Sequence, residues 1–222
     1  MGVHFRWEVI RDYWPLILQG TLVTIEVTVI AVLAGTLLGL ILGLMRLGRG
    51  WWWRWPALAY ITFFRGTPLF VQILLLHFAV IPQFNGGRAL DAQISGTIAL
   101  LLNSAAYVAE IFRAGIQSID RGQMEAARSL GLRMGQAMRY VILPQAFRRM
   151  LPPLGNEAIA LLKDSSLLAV IAGGEIATQM NLMFGRILSP WEPFLTLAFV
   201  YLVLTLVLQQ VVAYLERRYG QG

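Results

Sequence analysis

The sequence predicts an all-α integral membrane protein of about five transmembrane helices, with short helices on the cytoplasmic side, its N-terminus outside and its C-terminus inside. Three observations carry this expectation. The 222 residues are 57% hydrophobic and only 14% charged, whereas soluble domains are nearer half apolar and about a quarter charged. The apolar residues fall in runs close to the roughly 20 residues that a helix needs to cross a bilayer core. The arginines are distributed unequally between the loops that separate those runs.

The first span lies within 16–45. It is too long for one perpendicular helix, so its outer part is expected to tilt or to lie in the interface. Gly35, Gly39 and Gly43 recur in it at i, i+4 and i+8. They form a smooth stripe for close helix approach, within the chain or between subunits. The segment "RLGRGWWWRWPALAYITFFRG" follows. Its tryptophans suit the headgroup zone and predict a short interfacial helix over 56–64. The second span is expected to start at Thr67-Pro68, an N-cap followed by proline at the first helical position, and to run to about 82. The third covers 92–112. The fourth covers 153–172, with the Pro-Pro pair at its start. The fifth covers 193–215 and holds no ionised residue.

Arginine placement orients these spans. Arg46, Arg49, Arg54 and Arg65 lie between the first two. Arg113, Arg121, Arg128, Arg133, Arg139, Arg148 and Arg149 lie between the third and fourth, and Arg217 and Arg218 follow the fifth. These thirteen share one side; Arg6, Arg11, Arg88 and Arg186 share the other. The positive-inside rule puts the thirteen in the cytoplasm. Arg65 is then expected at the inner interface, fixing its loop, and Glu26 near the outer one.

The same composition excludes other classes. The net charge of +6 belongs to membrane loops, so no nucleic-acid partner is expected. Without cysteine there is no disulfide framework or thiolate metal site. His4 and His77 are far apart, so neither zinc nor haem ligation is expected. The N-terminal segment is not expected to act as a signal peptide, because its apolar run continues without a cleavage-like end. Arg6 breaks the myristoylation pattern.

The longest hydrophilic segment, 113–149, has internal order. Asp120 or Gly122 can cap a helix beginning near Gln123, and Gly131 can end it in a left-handed turn. "RMGQAMRYVIL" reads as a second short helix stopped by Pro144. Two short helices joined by glycine make a compact protrusion suited to a groove on a partner, or else an amphipathic loop lying on lipid.

"EAARSLGLRMGQAMRYVILP" resembles the EAA signature of permease subunits of bacterial ABC importers. The matching positions are Glu125, Ala126, Ala127, Gly131, Val141, Leu143 and Pro144, with Val141 where the pattern has isoleucine. "FRGTPLFVQ", "NSAAYVAEIFRAGI", "SIDRGQMEAARSLG" and "GNEAIALLKDSSL" are similar to the polar amino-acid branch, the histidine/glutamine/arginine permeases. The resemblance covers nearly the whole chain, least at the first 15 residues and at 173–192. It implies that the 113–149 loop forms coupling helices that dock into ABC ATPase subunits. It implies an extracytoplasmic binding protein that delivers an amino acid, and a second permease, identical or different. The chain has no cofactor of its own by this reading. The single lysine follows Leu162 and precedes Asp164, so there is no Walker A loop; ATP and Mg are expected on the partner ATPase.

Ionisable residues within spans usually face a cavity or a partner. In the fourth span, Asn156 lies under Lys163 and Glu157 under Asp164 at a spacing of seven. In the third, Asn103, Tyr107 and Glu110 share a face. These residues, with Ser165, are the expected substrate pathway. Asp164, Ser165 or Ser166 can also cap a second half-helix, breaking the span as transporter sites often do. An amino acid needs both signs of charge: Lys163 or a half-helix terminus for its carboxylate, Glu157 or Asp164 for its ammonium. An ion pair that only fixes packing or gating is the other role open to these residues. An ion-coupled secondary transporter is the alternative class, but no inverted repeat is visible. A membrane enzyme lacks its nucleophile–base or metal cluster.

Overall fold

A computed structural model describes residues 5–48 and 50–219. His4 and Arg49 lie outside the described residues. A bilayer core offers no water to unpaired backbone groups, so the apolar segments must satisfy their N–H and C=O groups internally as helices. In chain order they are α1 (Trp7–Asp12), α2 (Trp14–Leu47), α3 (Trp51–Gly66), α4 (Leu69–Leu75), α5 (Ile81–Phe84), α6 (Ala92–Gln117), α7 (Arg121–Ser129), α8 (Met134–Ala137), α9 (Leu143–Asp164), α10 (Ile176–Ile187) and α11 (Trp191–Tyr219). A π turn over Leu76–Val80 joins α4 to α5, and another over Met138–Ile142 joins α8 to α9. A 3₁₀ stretch, Ser165–Ile171, extends α9.

Among the described residues, α2, α6 and α11 are long and apolar enough to cross a bilayer alone. The bent pair of α3 and α4–α5, which turns by 107°, can supply a fourth crossing. The segment expected as a further span, 153–172, is divided between the end of α9 and the 3₁₀ stretch, with Glu157, Lys163 and Asp164 in the helical part.

Several boundaries differ from the sequence expectation, each for a local reason. The 56–64 helix is longer, Trp51–Gly66, with Pro56 inside it. The N-cap of α4 is Pro68 rather than Thr67; Thr67 instead donates its hydroxyl back to the Phe63 carbonyl (2.8 Å). Pro144 does not stop a helix. It sits in the first turn of α9, where the missing N–H costs nothing, and the π turn upstream carries the chain into it. The Pro152-Pro153 pair lies inside α9 rather than at a span start. Asp120 does cap α7, accepting from the Gly122 N–H (2.7 Å).

The scaffold is the parallel pair α2 and α6, whose residues meet in rising order, Gly35 by Ser104, Gly39 by Val108 and Gly43 by Phe112. Gly35, Gly39 and Gly43 all face α6 of the same chain: a Cβ at Gly39 would lie 2.8 Å from the Ala105 carbonyl and 2.6 Å from Val108 Cγ1. The stripe is therefore spent on packing within the chain. α3 lies across both helices through Ala57 and Ile61, which meet Leu42, Ala105 and Ala109. α9 crosses α6 at Gly115, against Met150, and α11 at Gly155, against Val212. α10 packs on the N-terminal third of α2, where Gly20 meets Ile176.

Gly39→Leu should destabilise the chain by about 1–3 kcal/mol or more, because the added side chain meets Val108 and, at 2.8 Å, the Ala105 carbonyl, which is backbone and cannot rotate away. Gly185, in α10 with nothing within 4 Å of its Cβ position, is the control: Gly185→Ala should be neutral or gain about 0.5–1 kcal/mol. Thermal unfolding of the purified variants in detergent measures both.

Candidate functional site

The segment between α6 and α9 is a folded protrusion. α7 ends in a Schellman turn: Gly131, at φ +86°, donates to the Arg128 carbonyl (3.0 Å), and Leu132 donates to that of Ala127 (3.2 Å). The motif satisfies the last helical carbonyls and needs a left-handed residue, which explains Gly131. Beneath it Ile119, Ile142, Ala146 and Met150 form a buried cluster, with Met124 and Met138 packed against it. That cluster roots the protrusion on the ends of α6 and α9. Ala127 is buried in the root, while Glu125 and Ala126 face outward. Leu143 and Pro144 are exposed as well, as are Met134, Tyr140 and, at 85%, Leu130. The outward face thus combines small, apolar and acidic groups on a rigid base.

At the same end of the molecule, Glu110 gathers arginines from three elements. Arg46, at the end of α2, contacts its Oε1. Arg113 donates to Oε2 from Nε (3.0 Å) and Nη2 (2.8 Å). Arg65, at the end of α3, lies 3.8 Å from Oε2 and stacks over the Tyr107 ring at 5.4 Å. Glu110 is expected from sequence to line a pathway; the structure makes it first an anchor that ties α2, α3 and α6 together. Beside it runs a cleft of about 570 Å³, lined by Arg65, Tyr107, Glu110, Arg149, Pro153 and Glu157 among others. The lining holds two guanidiniums and two carboxylates. Glu157 enters from α9 and faces Ser104 of α6.

The other sequence-predicted residues divide. Asn103 is away from the cleft: it is buried and donates to Gln72 Oε1 (2.8 Å), and Gln72 in turn donates to the Phe64 carbonyl and to Thr67 (2.8 Å each to Phe64 O and Thr67 Oγ1). The two amides pin the sharp turn between α3 and α4. Ser165 is buried, bonded to the Leu162 carbonyl (2.6 Å) and to Tyr201 Oη (3.1 Å). Asn156 and Lys163 lie together on an exposed stripe of α9, and Asp164 is half-buried beside it. Lys163 has no ion pair among the described residues.

The break expected at Lys163–Ser166 takes another form. Ser165 and Ser166 donate to carbonyls three residues back (2.6 and 2.8 Å), which tightens the helix to 3₁₀ and leaves no cap there. The chain breaks later, where Ala172 (φ 56°) and Gly174 (φ 81°) turn left-handed before α10. The N-terminus of α10 is already occupied. Glu175 is fully buried and accepts from the Thr178 N–H (2.9 Å) and hydroxyl (2.5 Å). The Ile176 N–H goes to Thr24 Oγ1 on α2 (3.1 Å). The first N–H groups of α10 are therefore already paired.

Sequence reasoning missed Glu175 and the outer clamp of Arg6 on Glu192. Glu192 is fully buried, accepts from Arg6 Nε (2.8 Å) and contacts the Ser189 hydroxyl. "SPWE" has the Ser-x-x-Glu spacing of a capping box, a signal present in the sequence. His77, set aside as a metal ligand, is buried against Ser95 Oγ (2.6 Å). Glu26 is exposed and accepts from Gln93 Nε2 (3.1 Å) at the start of α6.

These features have relatives. The family described as the binding-protein-dependent transport system inner membrane component matches residues 35–221. The chain is 38% identical to the glutamine transport system permease protein GlnP of Escherichia coli (strain K12) over 216 residues, 97% of this chain and 98% of that protein. It is 37% identical to the arginine transport system permease protein ArtQ of Bacillus subtilis (strain 168) over 204 residues, 92% of each. Among solved structures, an amino acid ABC transporter with histidines aligns at TM-score 0.90 and 41% identity, covering 97% of this chain and 100% of that one. The inward-facing MetNI methionine ABC transporter shares the fold, at TM-score 0.80 and 19% identity. The chain belongs to the family of inner membrane components of binding-protein-dependent transport systems.

Proposed function

We propose that this chain is the permease subunit of an ABC importer for a polar or charged amino acid, working as a dimer with itself or with a second permease. One observation carries the pathway part. Lys163 lies exposed on the surface of the chain with no ion pair among the described residues, about 21 Å along α9 from Arg149 at 1.5 Å per residue. A lysine at that depth cannot be left in hydrocarbon. A second permease across a water-filled path would complete its surroundings. The small number of spans in one chain supports the same arrangement.

In this reading Lys163 holds the substrate carboxylate, with Asn156 on the same stripe. Glu157 or Asp164 receives the ammonium. The cleft between Arg65, Arg149, Glu110 and Glu157 offers both signs of charge and fits a zwitterion on its way out, with Tyr107 as its wall. Asn103 and Ser165 hold the helices that carry these groups. An extracytoplasmic binding protein delivers the amino acid, as the family description and the amino-acid permeases among the relatives support. The protrusion bearing Glu125, Ala126, Ala127, Gly131, Leu143 and Pro144 docks into ABC ATPase subunits that bind ATP and Mg. Closure of those subunits pulls on the protrusion. Its buried root passes the motion to α6 and α9, and the Glu110 cluster passes it on to α2 and α3.

Lys163→Ala should lower ATP-driven uptake efficiency by about tenfold or more, the scale of one lost charge-assisted hydrogen bond. Glu157→Gln should do the same, while ATPase association stays intact. Proteoliposome uptake measures both; two variants with wild-type rate and affinity would overturn the pathway assignment. Ala126→Trp should abolish copurification with the ATPase without unfolding the chain, because Ala126 is exposed. Undiminished association and coupling would overturn the docking role.

A further inference from the structure

We infer that the cluster of Arg46, Arg54, Arg65 and Arg113 is a binding site for the phosphate headgroup of an anionic phospholipid. The sequence carries no acidic residue between Glu26 and Asp91, so α3 and the second half of α2 bring no counter-charge of their own. Ala57, Leu42 and Ala109 pack together, and Arg54, Arg46 and Arg113, in that order, stand about one helical turn from each of them, while Arg46, Arg65 and Arg113 converge on Glu110. Glu110 is the one carboxylate in ion-pair contact with this group, and it meets Arg46, Arg65 and Arg113. Four guanidiniums against Glu110, with Glu157 the further carboxylate lining the adjoining cleft, leave a surplus of at least two positive charges. Arg54 makes no side-chain hydrogen bond or ion pair among the described residues, and it is exposed.

The position selects the anion. α3 lies against α6 at bilayer depth, with Tyr60 Oη donating to the Leu102 carbonyl (2.7 Å). Its start exposes Trp51, Trp52, Trp53 and Trp55, side chains that settle at the headgroup level. Arg54 stands among them. A guanidinium pairs with phosphate through two parallel hydrogen bonds, and basic pockets beside membrane helices take anionic headgroups. A phospholipid fits both halves of the surface, its phosphate on the arginines and its acyl chains along the tryptophans. Free inorganic phosphate fits the arginines alone. The site does not depend on which solute the permease carries.

The test uses the full-length protein purified in mild detergent, with bound lipid read by native mass spectrometry. Phosphatidylglycerol and phosphatidylcholine compete, and inorganic phosphate and glycerol 3-phosphate serve as soluble probes. Wild type should retain phosphatidylglycerol in preference to phosphatidylcholine. Arg54→Gln should retain about fivefold less, the contribution of one arginine at a membrane surface. Arg121→Gln, an exposed arginine on α7, should retain as much as wild type. Equal retention of both lipids, or unchanged retention by Arg54→Gln, would overturn the site. Displacement by inorganic phosphate as effectively as by lipid would overturn the lipid assignment in favour of a free-anion site.

Discussion

The close approach of α2 to α6 is the constraint on which the rest of the molecule depends. Lipid is as apolar as leucine, so helices in a membrane gain little by hiding apolar faces and rely on close packing instead. Gly35, Gly39 and Gly43 bring the two backbones into that contact. The last of them faces Ala109 and Phe112, next to Glu110. Three residues beyond Gly43 stands Arg46, which reaches Glu110 because the seam is so narrow. The packing of two apolar helices thus sets the geometry of the charge cluster at their end.

From that cluster the structure reads outward in both directions. Arg113, one turn past Glu110, begins the hydrophilic segment whose buried root, Ile119, Ile142, Ala146 and Met150, fixes α7 to α6 and α9. Arg65 ends α3, where Gln72 and Asn103 hold the sharp turn into α4. A push on α7 therefore meets no slack loop. Every joint along the way is either a packed apolar root or a hydrogen-bonded turn. The opposite end is held differently: Glu175 closes α10, Thr24 takes its first N–H, and Arg6 clamps Glu192 at the start of α11.

Much of this was legible in the sequence, and the reasons are physical. Apolar length and arginine asymmetry predict membrane helices, because both follow from the dielectric of the bilayer. The α7 cap at Asp120 and the turn at Gly131 were legible because capping is local. What escaped depends on contacts far apart in the chain. Arg46, Arg65 and Arg113 count alike toward topology; the i, i+3 spacing of Glu110 and Arg113 is local, but nothing local says that Arg46 and Arg65 join them. Asn103 shares a helical face with Tyr107 and Glu110, yet the turn at 64–68 claims it. The prolines at 144, 152 and 153 read as boundaries, because sequence shows the lost N–H and not that a π turn leads into Pro144 or that α9 runs on through Pro152 and Pro153. The left-handed turn before α10 was hidden in a segment with no motif, where a buried Glu175 accepts from Thr178.

The most direct test of the account is the energy source of transport. The chain would be reconstituted with an ABC ATPase partner and a binding protein, and labelled amino acids followed into proteoliposomes. Uptake should require ATP and the binding protein, and a sodium or proton gradient alone should drive none. Accumulation driven by an ion gradient without ATP would contradict the account.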